Sequence, residues 1–233
     1  MKLSLWAVDS SFMTWVKVCG MTNLEDALLA VDAGADAVGF VFYKKSPRSV
    51  SIDTVRQIVQ ELPRKVEKVG VFVNEAEKVL CEFAERTGLT AIQMHGDHED
   101  PHVGDLVKAR RPELKVLAAI SMVRESPDDW AMRWRPDVVH AFLVDSGDSS
   151  KPGGTGKSFD WRASGPILEN IKAQGKVVAA GGLTPENVST ALKILKPWGV
   201  DVVSGVEASP GKKDPKKVRA FVRAVREADR KAG

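Results

Sequence analysis

The chain has 233 residues, of which 43% are hydrophobic, 28% charged and 6% aromatic. These proportions fit a globular protein and exclude a disordered chain, a collagen-like repeat and a disulfide scaffold. The net charge of +3 is too balanced to indicate a nucleic-acid partner, and the two cysteines, Cys19 and Cys81, favour a reducing, cytoplasmic location.

The first fifteen residues, MKLSLWAVDSSFMTW, precede the predicted domain. Their apolar run is interrupted by Ser4 and stops at Asp9, so it is too short and too polar for a signal peptide or a membrane span. We therefore expect residues 1–15 to form an N-terminal extension, residues 16–233 to form one domain, and the protein to have no membrane partner.

Short β-branched runs alternate with longer helical patterns in the rest of the chain. The runs are apolar on both faces, which is typical of parallel strands covered by helices. Eight strands are predicted, at Val16–Val18, Ala37–Phe42, Lys68–Val73, Ala91–Met94, Lys115–Ile120, Val138–Val144, Lys176–Ala180 and Val200–Ser204. Eight helices are predicted, at Leu24–Ala33, Ile52–Leu62, Ala76–Thr87, Asp105–Arg110, Pro127–Trp134, Gly165–Ala173, Pro185–Leu195 and Pro215–Glu227, with Pro185 at a first helical position.

A weak internal repeat marks every second strand. A turn of the form Gly-x-Asp-x-Val recurs with variations, and its third position falls at Asp36, Thr90, Asp137 and Asp201. Eight βα units with a two-unit repeat predict an α/β protein with a single (β/α)8 TIM barrel. An open doubly wound sheet is the alternative that the pattern leaves open.

Active sites of such barrels lie at the carboxyl ends of the strands, and Cys19 follows the first strand. A single cysteine is more often a small buried hydrophobe, but this position favours a base or a nucleophile. Strand alternation places Lys17 on the same face as Cys19, where its ammonium would stabilise a thiolate. An outward-pointing Lys17 is the equal alternative.

The loop after the second strand, Tyr43–Ser49, carries three cations. It is either a solvated loop or a binding loop, and Arg48 is its member best suited to grip a carboxylate or phosphate through two hydrogen bonds. Asp145 closes the apolar sixth strand. It is either a structural cap or a general acid, because burial raises the pKa of a carboxyl group.

Two further segments are weighed as sites. His95, His98 and His102 have a superficially metal-like spacing, but they straddle a strand end and a loop broken by Pro101 without acidic partners, so we expect no metal site. Gly153-Gly154-Thr155-Gly156-Lys157 lacks the spacing of a P-loop. Its glycines and lysine suit a lid that closes on a substrate, with Gly154, Gly156 and Lys157 as its contacts.

The last two strands end in glycine-containing turns, Gly181-Gly182 and Ser204-Gly205-Val206. Barrel enzymes commonly bind phosphate on the backbone N–H groups of these two turns. The basic run Lys212–Arg219 is interpreted as a solvated face of the last helix. The residues alone therefore indicate a cofactor-free barrel enzyme for a small phosphorylated carboxylate, with a cysteine and an aspartate across its mouth.

The sequence resembles the phosphoribosylanthranilate isomerase family of tryptophan biosynthesis from about residue 16 to residue 225. The most specific matches are the Cys-Gly-x-Thr start and the Gly-Gly-Thr-Gly-Lys-x-Phe-Asp-Trp loop. The matching stretches are 16–22, 34–40, 46–48, 70–74, 92–96, 153–161, 181–188 and 204–207.

The resemblance implies roles for the matched residues: Cys19 as general base, Asp145 as general acid, Arg48 for the anthranilate carboxylate, and Gln93 and His95 in the substrate pocket. It implies an Amadori rearrangement that needs no cofactor, in a monomer or homodimer. Two alternatives are kept. A histidine-pathway isomerase performs the same rearrangement with a pair of aspartates, whereas the first strand here ends in Cys19. A non-catalytic phosphate-binding barrel would not need Cys19 or Asp145.

Overall fold

The computed structural model describes residues 13–95, 101–147 and 159–232. The strands are β1 (Trp15–Cys19), β2 (Ala37–Val41), β3 (Glu67–Val73), β4 (Ala91–His95), β5 (Lys115–Ser121), β6 (Val139–Asp145), β7 (Val177–Ala179), β8 (Gly199–Val202), β9 (Glu207–Ser209) and β10 (Lys212–Lys213). The helices are α1 (Leu24–Asp32), α2 (Ile52–Glu61), α3 (Glu77–Thr87), α4 (Pro101–Arg110), α5 (Pro127–Met132), α6 (Gly165–Gln174), α7 (Val188–Leu195) and α8 (Pro215–Ala232).

Strands β1 to β8 form a closed parallel barrel in sequence order. Closure is made by β1, which pairs with β2 on one side and with β8 on the other. The predicted TIM barrel is therefore confirmed, and the open doubly wound sheet is wrong, because an open sheet has two edge strands whereas each of β1 to β8 pairs with a strand on both sides.

Strand alternation separates two layers of core. One face of each strand packs against the helices, where Val16, Val18 and Phe40 are fully buried. The other face points into the barrel, which is filled mainly by small side chains such as Ala37, Ala91 and Ala141. These small side chains leave room inside the barrel for larger inward side chains on β1.

Three helix ends differ from the prediction by three residues or more, and one of them is the end of α8, at Ala232 rather than at Glu227. Helix α7 begins at Val188, because Pro185 lies in a turn closed by Asn187, whose side-chain oxygen accepts a hydrogen bond from the Thr184 amide at 2.8 Å. Helix α4 begins at Pro101, four residues earlier than predicted, since proline is compatible with a first helical turn. The β9–β10 hairpin was not predicted, because two strands of three and two residues carry no periodic signal.

The start of the described chain is held by the barrel. The hydroxyl of Thr14 donates a hydrogen bond to Asp229 of α8 at 2.5 Å, and Trp15 belongs to β1 and stacks on Trp198 with ring centroids 5.2 Å apart. The boundary predicted at residue 15 remains a prediction, since residues 1–12 lie outside the described part. Within the described ranges, no helix has the length and apolar character needed to cross a membrane.

Candidate active site

A cavity of about 400 Å³ opens at the carboxyl ends of the barrel strands. Closure of the barrel brings together side chains that are far apart in sequence. Its lining includes Cys19 of β1, Arg48 after β2, Gln93 and His95 of β4, Asp145 of β6, Gly181 and Gly182 after β7, and Ser204 and Gly205 after β8. The described residues predicted for catalysis and carboxylate binding thus share one pocket.

Cys19 is 4% exposed and lies over Gly39 of the neighbouring strand. A Cβ atom at position 39 would stand 2.4 Å from Cys19 Sγ, so only glycine leaves the sulfur its present place. Burial raises the pKa of the Cys19 thiol, and the Lys17 ammonium opposes that rise. At neutral pH the resting enzyme therefore carries mainly the thiol.

Lys17 points into the barrel, which settles the orientation that the sequence left open. Its side chain is fully buried, and its ammonium donates a hydrogen bond to Asp201 of β8 at 3.0 Å. Burial works against the charged form of Lys17, but the charge of Asp201, together with that of Cys19 in its thiolate form, outweighs it and raises the pKa of Lys17. Lys17 is therefore a permanent cation beneath the thiol.

Asp145 is 7% exposed at the end of β6. Burial raises the pKa of its carboxyl group, the charge of Asp201 adds to that rise, and hydrogen bonds from the Ser146–Gly147 turn oppose it. The Gly147 amide donates to Asp145 Oδ1 at 3.2 Å. A buried carboxyl group with a raised pKa that faces a cavity is suited to donate a proton.

Arg48 is held by a carboxylate of the chain itself. Its Nε and Nη2 donate to the two oxygens of Glu207 at 2.8 and 2.7 Å, and this pairing raises the pKa of Arg48. Glu207 in turn accepts a hydrogen bond from the Lys213 ammonium at 3.2 Å. Since one edge of the guanidinium is occupied, Arg48 can offer only its remaining Nη1 and Nη2 hydrogens to a ligand.

Lys213 corrects the interpretation of Lys212–Arg219 as a solvated helix face. Its side chain is buried in β10, ahead of α8, and its ammonium donates to the Cys19 carbonyl at 2.6 Å and to Glu207. Burial lowers the pKa of Lys213, and Glu207 opposes that fall. A lysine inside a charged run is misread from sequence because the run itself suggests exposure.

The turns after β7 and β8 meet at the rim of the cavity. A Cβ atom at Gly205 would lie 1.9 Å from the Leu183 carbonyl oxygen, so glycine is required for this approach. Among the described residues, the amides of Gly182, Ser204 and Gly205 donate no hydrogen bond to another main-chain atom, which leaves them available for a ligand anion. Val206 is fully buried behind the turn and does not line the cavity.

Gln93 and His95 form a hydrogen-bonded pair on one wall of the cavity. Burial, together with the charge of Lys17, lowers the pKa of His95 to about 4, so its ring is neutral at pH 7. Gln93 Oε1 is buried and has no hydrogen-bond partner within the described ranges, which leaves it free to accept from a ligand hydroxyl.

The remaining predicted residues are not all covered by the structure. His98 and the lid residues Gly154, Gly156 and Lys157 lie outside the described ranges. The histidine spacing gains no support, since in the described chain no three His, Cys, Asp or Glu side chains are placed to hold a metal ion. His102 belongs to α4 rather than to a loop broken by Pro101.

Four residues of the site were missed as such from the sequence: Gly39, Asp201, Glu207 and Lys213. Asp201 did carry a signal, because it is an acid at an inward position of an otherwise apolar strand. Gly39 is also recognisable as a strand glycine, which often marks a close approach. Nothing local distinguishes Glu207 or Lys213 from surface charges.

Comparisons with known proteins point to one family. The chain matches the family model described as N-(5'phosphoribosyl)anthranilate (PRA) isomerase over residues 16–224. It is 45% identical to the N-(5'-phosphoribosyl)anthranilate isomerase of Pelobacter propionicus over 215 residues, which are 92% of this chain and 97% of the relative.

Solved structures with the same fold include two that bear on the site. One, described as monomers of the dimeric phosphoribosylanthranilate isomerase of Thermotoga maritima, superposes with a TM-score of 0.79 at 40% identity, covering 92% of this chain and all of that one. The other is a phosphoribosylanthranilate isomerase in complex with reduced 1-(o-carboxyphenylamino)-1-deoxyribulose 5-phosphate, with a TM-score of 0.79, 38% identity and the same coverage.

Proposed function

The chain belongs to the N-(5'-phosphoribosyl)anthranilate isomerase family and is an aldose–ketose isomerase of tryptophan biosynthesis, and we propose that Cys19 is its general base and Asp145 its general acid. The product is 1-(2-carboxyphenylamino)-1-deoxyribulose 5-phosphate. One observation carries the assignment of roles: the thiol and the carboxyl group line the same cavity, at the ends of β1 and β6.

The first step opens the ribose ring. Asp145 gives its proton to the ring oxygen while the nitrogen lone pair forms a C=N bond at C1 and the C1–O bond breaks. The products are an iminium and the Asp145 carboxylate. The raised pKa of Asp145 supports this role, because a more basic carboxylate keeps a larger protonated fraction near neutral pH.

The second step removes the C2 proton. The Cys19 thiolate takes this proton, and the C–H electrons form a C1–C2 double bond as the iminium electrons return to nitrogen. The iminium is the electron sink, so neither step needs a metal or an organic cofactor. The enolamine then tautomerises by moving a proton from the C2 hydroxyl to C1, and the enzyme resets when a proton passes from the thiol to Asp145 through solvent.

The active enzyme is a minor protonation state. Both reacting groups have raised pKa values, and since an ordinary thiol is much less acidic than a carboxyl group, the resting pair is thiol and carboxylate. The reactive pair, thiolate and carboxylic acid, is present as a small fraction between the two pKa values. Stabilisation of the thiolate by neighbouring charge therefore raises the active fraction directly.

Binding uses the two ends of the substrate. The free edge of the Arg48 guanidinium would hold the anthranilate carboxylate, and the amides of Gly181, Gly182, Ser204 and Gly205 would hold the phosphate. Gln93 and His95 would meet the ribose hydroxyls between them. The ligand of the solved relative carries both a carboxyphenyl group and a phosphate, which supports a pocket that receives the two groups.

The test is the fluorescence decay of freshly generated phosphoribosylanthranilate in the presence of the purified protein. We expect loss of fluorescence well above the buffer rate, and none above it with Cys19→Ser/Asp145→Asn. A wild-type rate equal to buffer would exclude the isomerase function. Wild-type activity that survives in the double variant would exclude the roles of Cys19 and Asp145.

We infer a cytoplasmic monomer or homodimer with an N-terminal extension, acting on a small phosphorylated molecule and on no nucleic acid or membrane. The existence of a dimeric relative supports the homodimer as one of the two states. Sedimentation equilibrium of the purified chain distinguishes them.

A further inference from the structure

Inside the barrel, two opposite charges lie directly under the sulfur of Cys19. Lys17 is fully buried and Asp201 is 4% exposed, and their side chains are joined at 3.0 Å. A buried ion pair is weak support for stability, because desolvation of both groups offsets most of their attraction. A function other than stability is therefore to be sought for it.

The Lys17 side chain also converges on the thiol. The Cβ atom that Gly39 lacks would stand 2.4 Å from Cys19 Sγ and 3.1 Å from Lys17 Cε, so both side chains enter the same small space above β2. Lys17 acts on Cys19 through its charge, which lowers the pKa of the thiol. Because Lys17 and Cys19 alternate along one strand, the backbone itself sets their relation.

We propose that Lys17 and Asp201 are positioning residues, in which Asp201 holds the Lys17 ammonium under Cys19 and the ammonium stabilises the Cys19 thiolate. This inference rests on the proposed role of Cys19 as general base. Without Asp201, the buried lysine would keep the Cys19 thiolate as a counter-ion, but its ammonium would no longer be held in place by the carboxylate. With it, the cation is permanent, while the carboxylate moderates the field that the sulfur feels.

Other charges also face the thiol. Lys213 donates to the Cys19 carbonyl and lowers the pKa of the thiol, although Glu207 neutralises part of its charge. In the described part of the chain, the other charged or titratable side chains that line the cavity are Tyr43, Lys45 and Arg48 after β2, the neutral His95 on β4 and Asp145 on β6. Lys17 is the largest charged influence that lowers the pKa of the thiol, and Asp201 is the charge that raises it.

The proposal predicts shifts of opposite sign in two variants. Lys17→Met removes the cation and should raise the pKa of Cys19, by roughly one to three units for a charge at this range. Asp201→Asn removes the anion, keeps the polar contact to Lys17 and should lower the pKa of Cys19. A purely structural role of the pair gives no reason for opposite shifts.

The measurement is the pH dependence of thiolate formation in the free enzyme. It is followed by the rate of alkylation with iodoacetamide, in a Cys81→Ala background that leaves Cys19 as the only cysteine of the chain. Unchanged pKa values, or shifts of the same sign in both variants, would overturn the proposal. Opposite shifts of the stated sign would establish it.

A double variant in which both residues are uncharged serves as the control for misfolding of the single variants. Lys17→Met leaves Asp201 as an unpaired buried carboxylate, which is strongly destabilising, so Lys17→Met/Asp201→Asn is measured beside it. We expect the pKa of Cys19 in the double variant to exceed that of the wild type, because Lys17 is the stronger influence. A pKa equal to or below wild type in the folded double variant would also contradict the proposal.

Kinetics separate this inference from the proposed function. Each unit of increase in the pKa of Cys19 should lower kcat/KM about tenfold between the two pKa values, with little change in KM. If Cys19→Ser instead retains full activity, the general-base assignment fails, whereas the titration of the thiol still reports whether Lys17 and Asp201 control it.

Discussion

Glu207 holds Arg48 by one edge, with Nε and Nη2 at 2.8 and 2.7 Å from its two oxygens. The two residues are 159 positions apart, and the pairing is buried enough to fix the guanidinium plane over the cavity. Because the other edge stays open, the arginine is already oriented before a carboxylate arrives. Preorganisation of this kind lowers the entropic cost of binding.

Arg48→Ala should therefore raise KM for phosphoribosylanthranilate by at least about tenfold, as expected for loss of a charge-assisted hydrogen bond. The fall in kcat should be smaller, since the carboxylate is held alike in the ground and transition states. Steady-state kinetics measures both. Arg56→Ala on the exposed face of α2 is the matched control. An unchanged KM for Arg48→Ala would show that the carboxylate binds elsewhere.

Gly39→Ala should inactivate the enzyme without unfolding it. The new Cβ atom would stand 2.4 Å from Cys19 Sγ, so the thiol must move from its present position, and a misplacement of about 1 Å can cost 10²-fold in rate. The matched control is Gly165→Ala at the start of α6, where a Cβ atom meets nothing within 4 Å. Thermal unfolding checks that both variants are folded. Equal kcat values for the two folded variants would show that a Cβ atom at position 39 does not displace the Cys19 thiol.

Cys19→Ser and Asp145→Asn should each lower kcat by roughly 10² to 10⁴-fold, the usual contribution of a general acid or base. KM should change little, because both groups act in the transition state. Cys81→Ser is the control, since Cys81 packs within α3, away from the cavity. A large increase in KM with unchanged kcat would indicate binding roles instead.

The pH profile of kcat/KM should be bell-shaped. In the usual case the general base titrates on the acidic limb and the general acid on the basic limb, and here we expect the reverse. Because the resting pair is thiol and carboxylate, the acidic limb belongs to Asp145 and the basic limb to Cys19. Lys17→Met should move the basic limb to higher pH and leave the acidic limb in place. A basic limb that stays fixed would contradict the assignment to Cys19.

Acidification should destabilise the fold through His95. Burial holds its folded pKa at about 4, below the ordinary 6.5, so between these values the unfolded chain binds more protons. The free energy of unfolding therefore falls as the pH drops through that window, by up to about 3 kcal/mol from this residue. Urea unfolding from pH 7 to 4.5 measures the slope.

His95→Gln should flatten this dependence. His140 also has a pKa lowered to about 4 by burial, so part of the slope should persist in His95→Gln. An identical slope in wild type and His95→Gln would mean that His95 is as easily protonated in the folded protein as in the unfolded chain.

Much of the architecture was predictable because it depends on short-range patterns. The eight apolar runs separated by amphipathic segments predicted each strand of the barrel and each helix, most within one or two residues of the observed ends. The first apolar run placed Cys19 at a strand end, and Asp145 was recognisable as an acid closing an apolar run. Where local rules allowed two outcomes, as at Pro185 and Pro101, the predicted helix start was wrong.

By itself, the sequence determined the order of elements and the family, since these depend on periodicity and on motifs contiguous in the chain. It predicted a barrel, but the tertiary structure showed that the sheet closes. Only the tertiary structure decided that Lys17 points inward to Asp201, 184 residues away, that Glu207 occupies Arg48 and that Lys213 is buried. Those contacts are created by the pairing of β1 with β8, which closes the barrel and brings the first and last strands of the chain side by side.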